Sequence, residues 1–284
     1  MTQRLRVRYA KRGRLRFTSH RDISRAVERA VRRAGVPVAF SAGFTPHPKI
    51  SYAGAAATGV ASEAEYLEIG LTEPRDPARV RADLDAALPG GLDVLDVVSA
   101  AGAGTALAER LQASEWRVRL DGVDPDVADQ AVRRFLAAPE IEVERLTKKG
   151  RRRFDVRAAV CAFELDRRAM AEAETPCAIL RMVVRHTTPA VRPDDVLAGL
   201  RHVADLAPPS PPLVTRLAQG PLTAETGELA DPLDPDRQAL DRLVSDRPAA
   251  PGGEDARVPG RPALPPVGAM DAGVVGARPA AARS

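Results

Sequence analysis

From residue 20 onward, Ile23, Ala26, Val27, Ala30, Val31 and Ala34 recur at the three- and four-residue steps of a helix with one apolar face. This periodicity limits the fold more than any other feature of the chain. Ser19 is placed to cap the first turn, with Asp22 three residues on, and Gly35 and Pro37 stop the helix. Such a helix needs a second layer to cover its apolar stripe, and the flanking residues supply strands. Leu5, Val7 and Tyr9 alternate with polar residues, Gly13 allows a bend, and Leu15 and Phe17 resume the run. Residues 36–40 and 50–53 read as short extended segments around a proline-rich loop, and 65–71 alternate as a strand. Residues 76–88 carry Val80, Leu84 and Leu88 at helical spacing, Pro89-Gly90-Gly91 breaks the chain, and 92–98 read as a strand. The resulting order, β-α-β-β-α-β, is that of the ferredoxin-like split βαβ unit.

A similar order follows. Residues 116–120, 141–146, 153–163, 178–186 and 213–217 read as strands, and 124–137 and 192–203 as helices. Asp124-Pro125 supplies a cap and a first-position proline. The expected fold class is α+β: two tandem ferredoxin-like units with antiparallel sheets, over residues 1–100 and 115–220, joined by a linker at 101–114. From Pro221 the chain holds ten prolines in 64 residues, with almost no apolar periodicity apart from 240–244. Such a composition buries too little surface to offset its ordering entropy, so 221–284 reads as a disordered Pro/Ala/Gly-rich tail.

Charge is distributed unevenly. Residues 1–60 hold 13 Lys and Arg against Asp22 and Glu28, a net of +11, whereas 61–150 carry a net of −7. Cys161 and Cys177 are too few for a disulfide framework or a four-cysteine zinc site, and free thiols suit a reducing compartment. No run of about 18 apolar residues is present and the N-terminus lacks the apolar stretch of a secretory signal. A cytoplasmic protein that does not cross a membrane is expected.

The cationic residues Arg21, Arg25, Arg29 and Arg32 repeat at steps of four, four and three, opposite the apolar face of the first helix, with Arg33 at their edge and Arg16 entering from the preceding strand. Such a stripe repels itself, so a polyanion would relieve repulsion as well as supply attraction. A solvated face paired with the acidic middle of the same chain is the plain alternative. Lys11, Arg12 and Arg14 are expected near the same end. In the following loop, Pro46 and Pro48 stiffen the backbone around His47 and Gly43 permits close approach. Phe44 either stacks on a base or anchors the loop in the core, and Lys49 and Ser51 offer donors to phosphate.

His20, at the first helical position, and His47 would resemble an acid/base pair able to cleave RNA without metal if they met. His47 is equally a phosphate or base contact. The run Lys148, Lys149, Arg151, Arg152 and Arg153 forms a secondary basic patch, either a partner surface or a solvated turn. Glu63, Glu65 and Glu68 read as solvated positions around a strand, and Cys161 as a small core residue. No metal-ligand spacing, Walker loop, dinucleotide fingerprint or nucleophile elbow is present, so no cofactor and no complete catalytic set are expected.

Several motifs taken together resemble a known family. They are Gly13-x-Leu15-Arg16-Phe17-x-Ser19-His20-x-Asp22, Arg29-Ala30-x-Arg32-Arg33-Ala34-Gly35-x-Pro37, Ser41-x-Gly43-Phe44-x-Pro46-His47-Pro48-Lys49-Ile50-Ser51, Gly59-Val60-x-Ser62 and Glu65-Tyr66. They resemble the bacterial radical-SAM-linked family of a domain of unknown function, with weaker likeness at Lys148-Lys149, Asp155-Val156-Arg157 and Arg192-Pro193-Asp194. The resemblance covers about residues 3–220 and implies partnership with radical SAM proteins, to which the domain is fused in some members. This chain has no Cys-x-x-x-Cys-x-x-Cys to ligate an iron–sulfur cluster and is not itself the radical enzyme. The expected function is an accessory protein that binds RNA or another phosphate-rich partner beside a radical SAM or RNA-processing protein. A metal-independent endoribonuclease using His20 and His47, and a purely protein-binding adaptor, are the alternatives.

Overall fold

The computed structural model describes residues 1–100, 105–147, 150–223 and 227–245. Strand β1 (Gln3–Lys11) buries Leu5, Val7 and Tyr9. A short 3-10 turn (Gly13–Phe17) then leads into helix α1 (His20–Arg33). The Asp22 amide donates to Ser19 Oγ at 3.2 Å, a cap of the kind that contributes about 1 kcal/mol. Ile23, Val27, Ala30 and Val31 are the residues α1 buries.

Next come β2 (Ile50–Ala53), β3 (Ala61–Leu71), α2 (Pro77–Ala87) and β4 (Val94–Ser99). β1 lies between β3 and β4, and β2 pairs with the other side of β3 from Ile50 opposite Ile69 to Ala53 opposite Tyr66. The core of this half is formed by Leu5, Val7, Val27, Ile69, Val80 and Leu84, with α1 and α2 on the same face of the sheet.

The second half contains α3 (Leu107–Arg110), β5 (Ala113–Asp121), α4 (Pro125–Ala137), the separate hairpin β6 (Glu142–Thr147) and β7 (Gly150–Asp155), and β8 (Val160–Leu165). It continues with α5 (Arg167–Ala171), β9 (Cys177–Arg185), α6 (Pro193–Ala204), β10 (Leu213–Gly220) and α7 (Asp234–Ser245). Its core joins Phe135 of α4 and Leu200 of α6 to Leu120, Leu180 and Phe163 of the sheet.

The α+β character expected from periodicity is present, with a largely antiparallel sheet. The strands, however, enter one eight-stranded sheet of order β4-β1-β3-β10-β5-β9-β8, with β2 beside β3. The junction is a short parallel pairing of β10 with β3, Thr215 opposite Ala61 and Arg216 opposite Ser62. It forms because β3 runs past the end of β2 and leaves its first residues open to β10.

Several expectations need correction. The single strand expected over 153–163 is two, because the Asp155 carboxylate accepts from the amides of Ile141, Arg157 and Ala158 at 2.9, 2.8 and 3.1 Å and turns the chain. Residues 36–40 make only the isolated bridges Val38 to Leu71 and Phe40 to Pro48. The 101–114 linker contains α3 and the start of β5, with Leu107, Leu111 and Arg110 buried, while residues 101–104 lie outside the described residues. Cys161 is exposed and Cys177 buried: among the described residues β8 is the end strand of the sheet, and it turns Val160 and Phe163 inward instead.

The expected tail is corrected in its first part. Leu233 and Asp236 are 0% and 1% exposed, and α7 packs against β4. The reason is polar as well as apolar. Asp236 accepts from Arg6 Nη1 and from Arg110 Nη1, and Arg6 Nε reaches Glu68 at 2.9 Å, so a charged cluster on the sheet face opposite α1 and α2 is satisfied by the C-terminal helix. Residues 224–226 and 246–284 of the expected tail lie outside the described residues.

Candidate nucleic-acid interface

Because α1 turns Ile23, Val27, Ala30 and Val31 inward, the residues half a turn away face solvent. Arg21, Arg25, Arg29 and Arg32 are all exposed and form one row along a helix of 14 residues, about 21 Å long. Their compensation is slight. Arg25 Nη1 lies 3.7 Å from Asp22 Oδ1 with both side chains more than half exposed, a distance at which water and salt screen the pair. Arg32 Nε donates to the Glu28 carbonyl at 3.3 Å, and Arg33 Nη1 to the Ala87 carbonyl at the end of α2 at 3.3 Å.

The cations expected from the preceding strand divide, and Arg14 and Arg16 lie not on it but on the 3-10 turn, because the chain leaves β1 at Lys11. Arg16 sits 4.6 Å over the Phe17 ring, and Arg14 is exposed. Arg12 is taken by Glu63 and by Asp93 at 2.7 Å, and Lys11 is 1% exposed, so neither joins the stripe.

The loop is closed by two reciprocal bonds, Ser41 N to the His47 carbonyl at 2.9 Å and His47 N to Ser41 Oγ at 3.0 Å. Gly43, at φ +127°, takes a conformation that side-chain-bearing residues avoid. Phe44 stands fully in solvent, which removes the core-anchor reading. His47, Lys49 and Ser51 come together with Arg4, Ser41 and Glu68 around an open depression of about 380 Å³. Arg4 was not singled out in the sequence.

His20 and His47 have different surroundings. The His20 ring meets Tyr52 edge-on, centroids 4.9 Å apart, on the helix side of β2, whereas His47 lies beyond the start of β2 among residues of the depression. Successive residues of a strand point to opposite faces, so Tyr52 and Ser51 separate these two environments. Among the described residues no contact joins the two rings. In the secondary patch, Arg151 and Arg153 pair with Glu144 and Glu142 at 3.1 and 2.9 Å, and Arg152 is exposed. Lys148 and Lys149 lie outside the described residues.

Sequence reasoning missed a buried polar group at the seam of the two halves. Arg216 pairs with Glu65, its Nε donates to Ser62 Oγ at 3.2 Å, and its guanidinium lies 5.5 Å from the Trp116 ring centroid. Gln219 Nε2 donates to the Ala64 carbonyl at 2.6 Å. Lys11 Nζ holds the Ala56 and Ala57 carbonyls at 3.2 and 3.1 Å, and the Ala56 amide returns a bond to Glu65. Burial holds the Lys11 ammonium below its ordinary range. Glu65 is thus not a solvated strand residue. The signal was readable: Lys11 continues the inward phase of Leu5, Val7 and Tyr9, and Glu65 that of Leu67, Ile69 and Leu71.

Nearby, Ser114 Oγ lies 2.7 Å from His186 Nε2, and His186 Nδ1 donates to the Leu111 carbonyl at 2.6 Å, which leaves Nε2 to accept. Desolvation lowers the His186 pKa, and the buried Ser114 and the solvent-facing His186 tie β5 to the end of β9. Among the described residues, no group of three or more His, Cys, Asp or Glu stands where it could hold a metal ion, and no helix is long and apolar enough to cross a membrane.

These features define an α+β protein with a largely antiparallel sheet and an exposed cationic helix beside a stiffened aromatic–histidine loop. The chain belongs to the family described as "Uncharacterized protein conserved in bacteria (DUF2344)", whose model matches residues 4–193. No curated protein matches it. Among solved structures, a chain of "Crystal Structure of a Cbf5-Nop10-Gar1 Complex" is similar at 12% identity and a TM-score of 0.41, over 78% of this chain and 50% of that one. This chain therefore spans half the length of that structure's chain.

Proposed function

We propose that this protein is an accessory factor that binds RNA or a similarly phosphate-rich partner through α1 and the Phe44–Lys49 loop, beside a radical SAM or RNA-processing enzyme. One observation carries the reading: four arginines are held in an exposed row with, among the described residues, a single long contact to a carboxylate. Phosphates arriving along the helix would release counterions as they neutralise this row. Lys49, Ser51 and Arg4 supply further donors around the depression on the sheet face opposite α1, a second positioning surface reached round the end of the loop. The radical SAM association rests on the motif resemblance alone.

We read each half of the sheet as a ferredoxin-like unit, with local orders β4-β1-β3-β2 and β10-β5-β9-β8, the β6-β7 hairpin being an insertion in the second.

Fluorescence anisotropy with labelled RNA over a salt series tests the binding claim. Affinity should fall steeply between 50 and 200 mM salt, on the order of 10- to 1,000-fold for a handful of phosphate contacts. Arg25→Glu with Arg29→Glu should weaken it and flatten the salt slope. Binding that is absent at low salt, or indifferent to the double variant, ends the proposal. Co-purification of an enzyme partner after nuclease treatment separately tests the accessory role.

A further inference from the structure

The chain has six phenylalanines, and the fold sorts them sharply. Phe135, Phe154 and Phe163 pack in or against the second core. Phe17, Phe40 and Phe44 are 61%, 56% and 110% exposed. All three exposed rings belong to the segment that contains the arginine row, and they lie at its two ends. Phe17 is on the 3-10 turn immediately before the Ser19 cap, at the N-terminus of α1. Phe40 and Phe44 follow the C-terminus of α1, on the loop held by the Phe40–Pro48 bridge and the Ser41–His47 bonds. The exposed arginines run between them for about 17 Å.

Resting on the phosphate-binding reading above, we infer that the ligand is a single-stranded polynucleotide lying along α1, its unpaired bases stacking at Phe17 and at Phe44 and its phosphates following Arg21, Arg25, Arg29 and Arg32. Three physical points lead there. An exposed aromatic face offers every base a stacking partner, but a base within a duplex has both faces already covered. A single row of cations suits one backbone, whereas a duplex presents two strands across a groove. Arg16, stacked 4.6 Å over the Phe17 ring, extends that platform with a planar cation of the kind that itself stacks on bases. The chemistry is common to RNA and DNA strands, so the sugar is decided by experiment.

The test uses the full chain and fluorescein-labelled 12-nucleotide strands: oligo(U), a DNA strand of the corresponding sequence, and a blunt RNA duplex of equal length. Phe17→Ala with Phe44→Ala is the informative variant, since both rings stand in solvent and their loss leaves the core intact, which thermal melting checks. The inference expects either single strand to bind at least about tenfold more tightly than the duplex. The double Phe variant should lose at least about tenfold for single strands while keeping the salt slope of the parent. Preference for the RNA or the DNA strand identifies the sugar within that result. Equal affinity for strand and duplex, or full affinity in the Phe variant while Arg25→Glu with Arg29→Glu loses binding, overturns the stacking inference and leaves the phosphate reading standing. Absence of binding to all three probes at low salt overturns both.

Discussion

Arg6 Nη1 donates to both carboxylate oxygens of Asp236, at 2.8 and 2.6 Å, across 230 residues of chain. The contact ties the first strand to the last described helix, and Arg110 adds a second cation to the same carboxylate at 2.7 Å. A carboxylate so deeply buried is favourable only while both guanidinium groups remain in place, and the converse holds for the arginines.

Asp236→Asn should therefore cost about 3 kcal/mol, because it leaves buried positive charge with Glu68 as its nearest remaining acid. Urea unfolding checks this as a drop in midpoint. Asp241→Asn, at an exposed position of the same helix, should change stability by less than about 0.5 kcal/mol.

Gly220→Ala should loosen the segment after β10 and leave the sheet folded. A Cβ at Gly220 would stand 2.1 Å from the Ala230 carbonyl oxygen, a backbone atom that moves only if the 221–233 segment moves. Hydrogen exchange should report faster exchange in α7 with protection of β5 and β9 unchanged. Unchanged exchange throughout would contradict the packing described.

Glu65→Gln should destabilise by about 3 kcal/mol, since Arg216 and Lys11 then face each other without their shared acid. Adding Lys11→Met to that background should restore part of the loss. A double-mutant cycle measures the coupling, and strict additivity would show that the two side chains do not share a network.

The three tyrosines set an alkaline limit. Burial pushes the Tyr52 phenol up to about 12, and burial also raises Tyr9 and Tyr66. Unfolded phenols lose their protons near 10.0, while the folded protein keeps them. The native state thus binds more protons above that pH, and this contribution, full below pH 10, is lost as pH rises towards about 12. Absorbance at 295 nm should show no tyrosinate until near or above that upper value, and Tyr52→Phe should remove the earliest step. A titration near pH 10 in folded protein would refute the burial of these rings.

Helix α1 and its arginine row were legible because both rest on one local period: the spacing that puts Ile23, Val27 and Ala30 inward also puts Arg21, Arg25 and Arg29 outward. The loop's stiffness was likewise legible in Pro46 and Pro48, and the cap in Ser19. Phe17 resisted, since a ring in phase with an alternating strand reads as buried until the chain leaves the strand for a 3-10 turn. The seam was half legible. Lys11 and Glu65 stand in apolar phase, which marks them as buried charges, but no local pattern points to Arg216 as the partner, 151 residues from Glu65.

What the sequence determined by itself is therefore most of the longer helices and strands and the cationic face of α1, because helix and strand periods are properties of neighbouring residues. Tertiary structure decided that the two halves share one sheet, that Glu65 meets Arg216 and that Asp236 closes the cluster around Arg6. Those outcomes depend on which strand edges and buried charges meet after the chain folds back, and such pairings are selected by desolvation and geometry over the whole molecule.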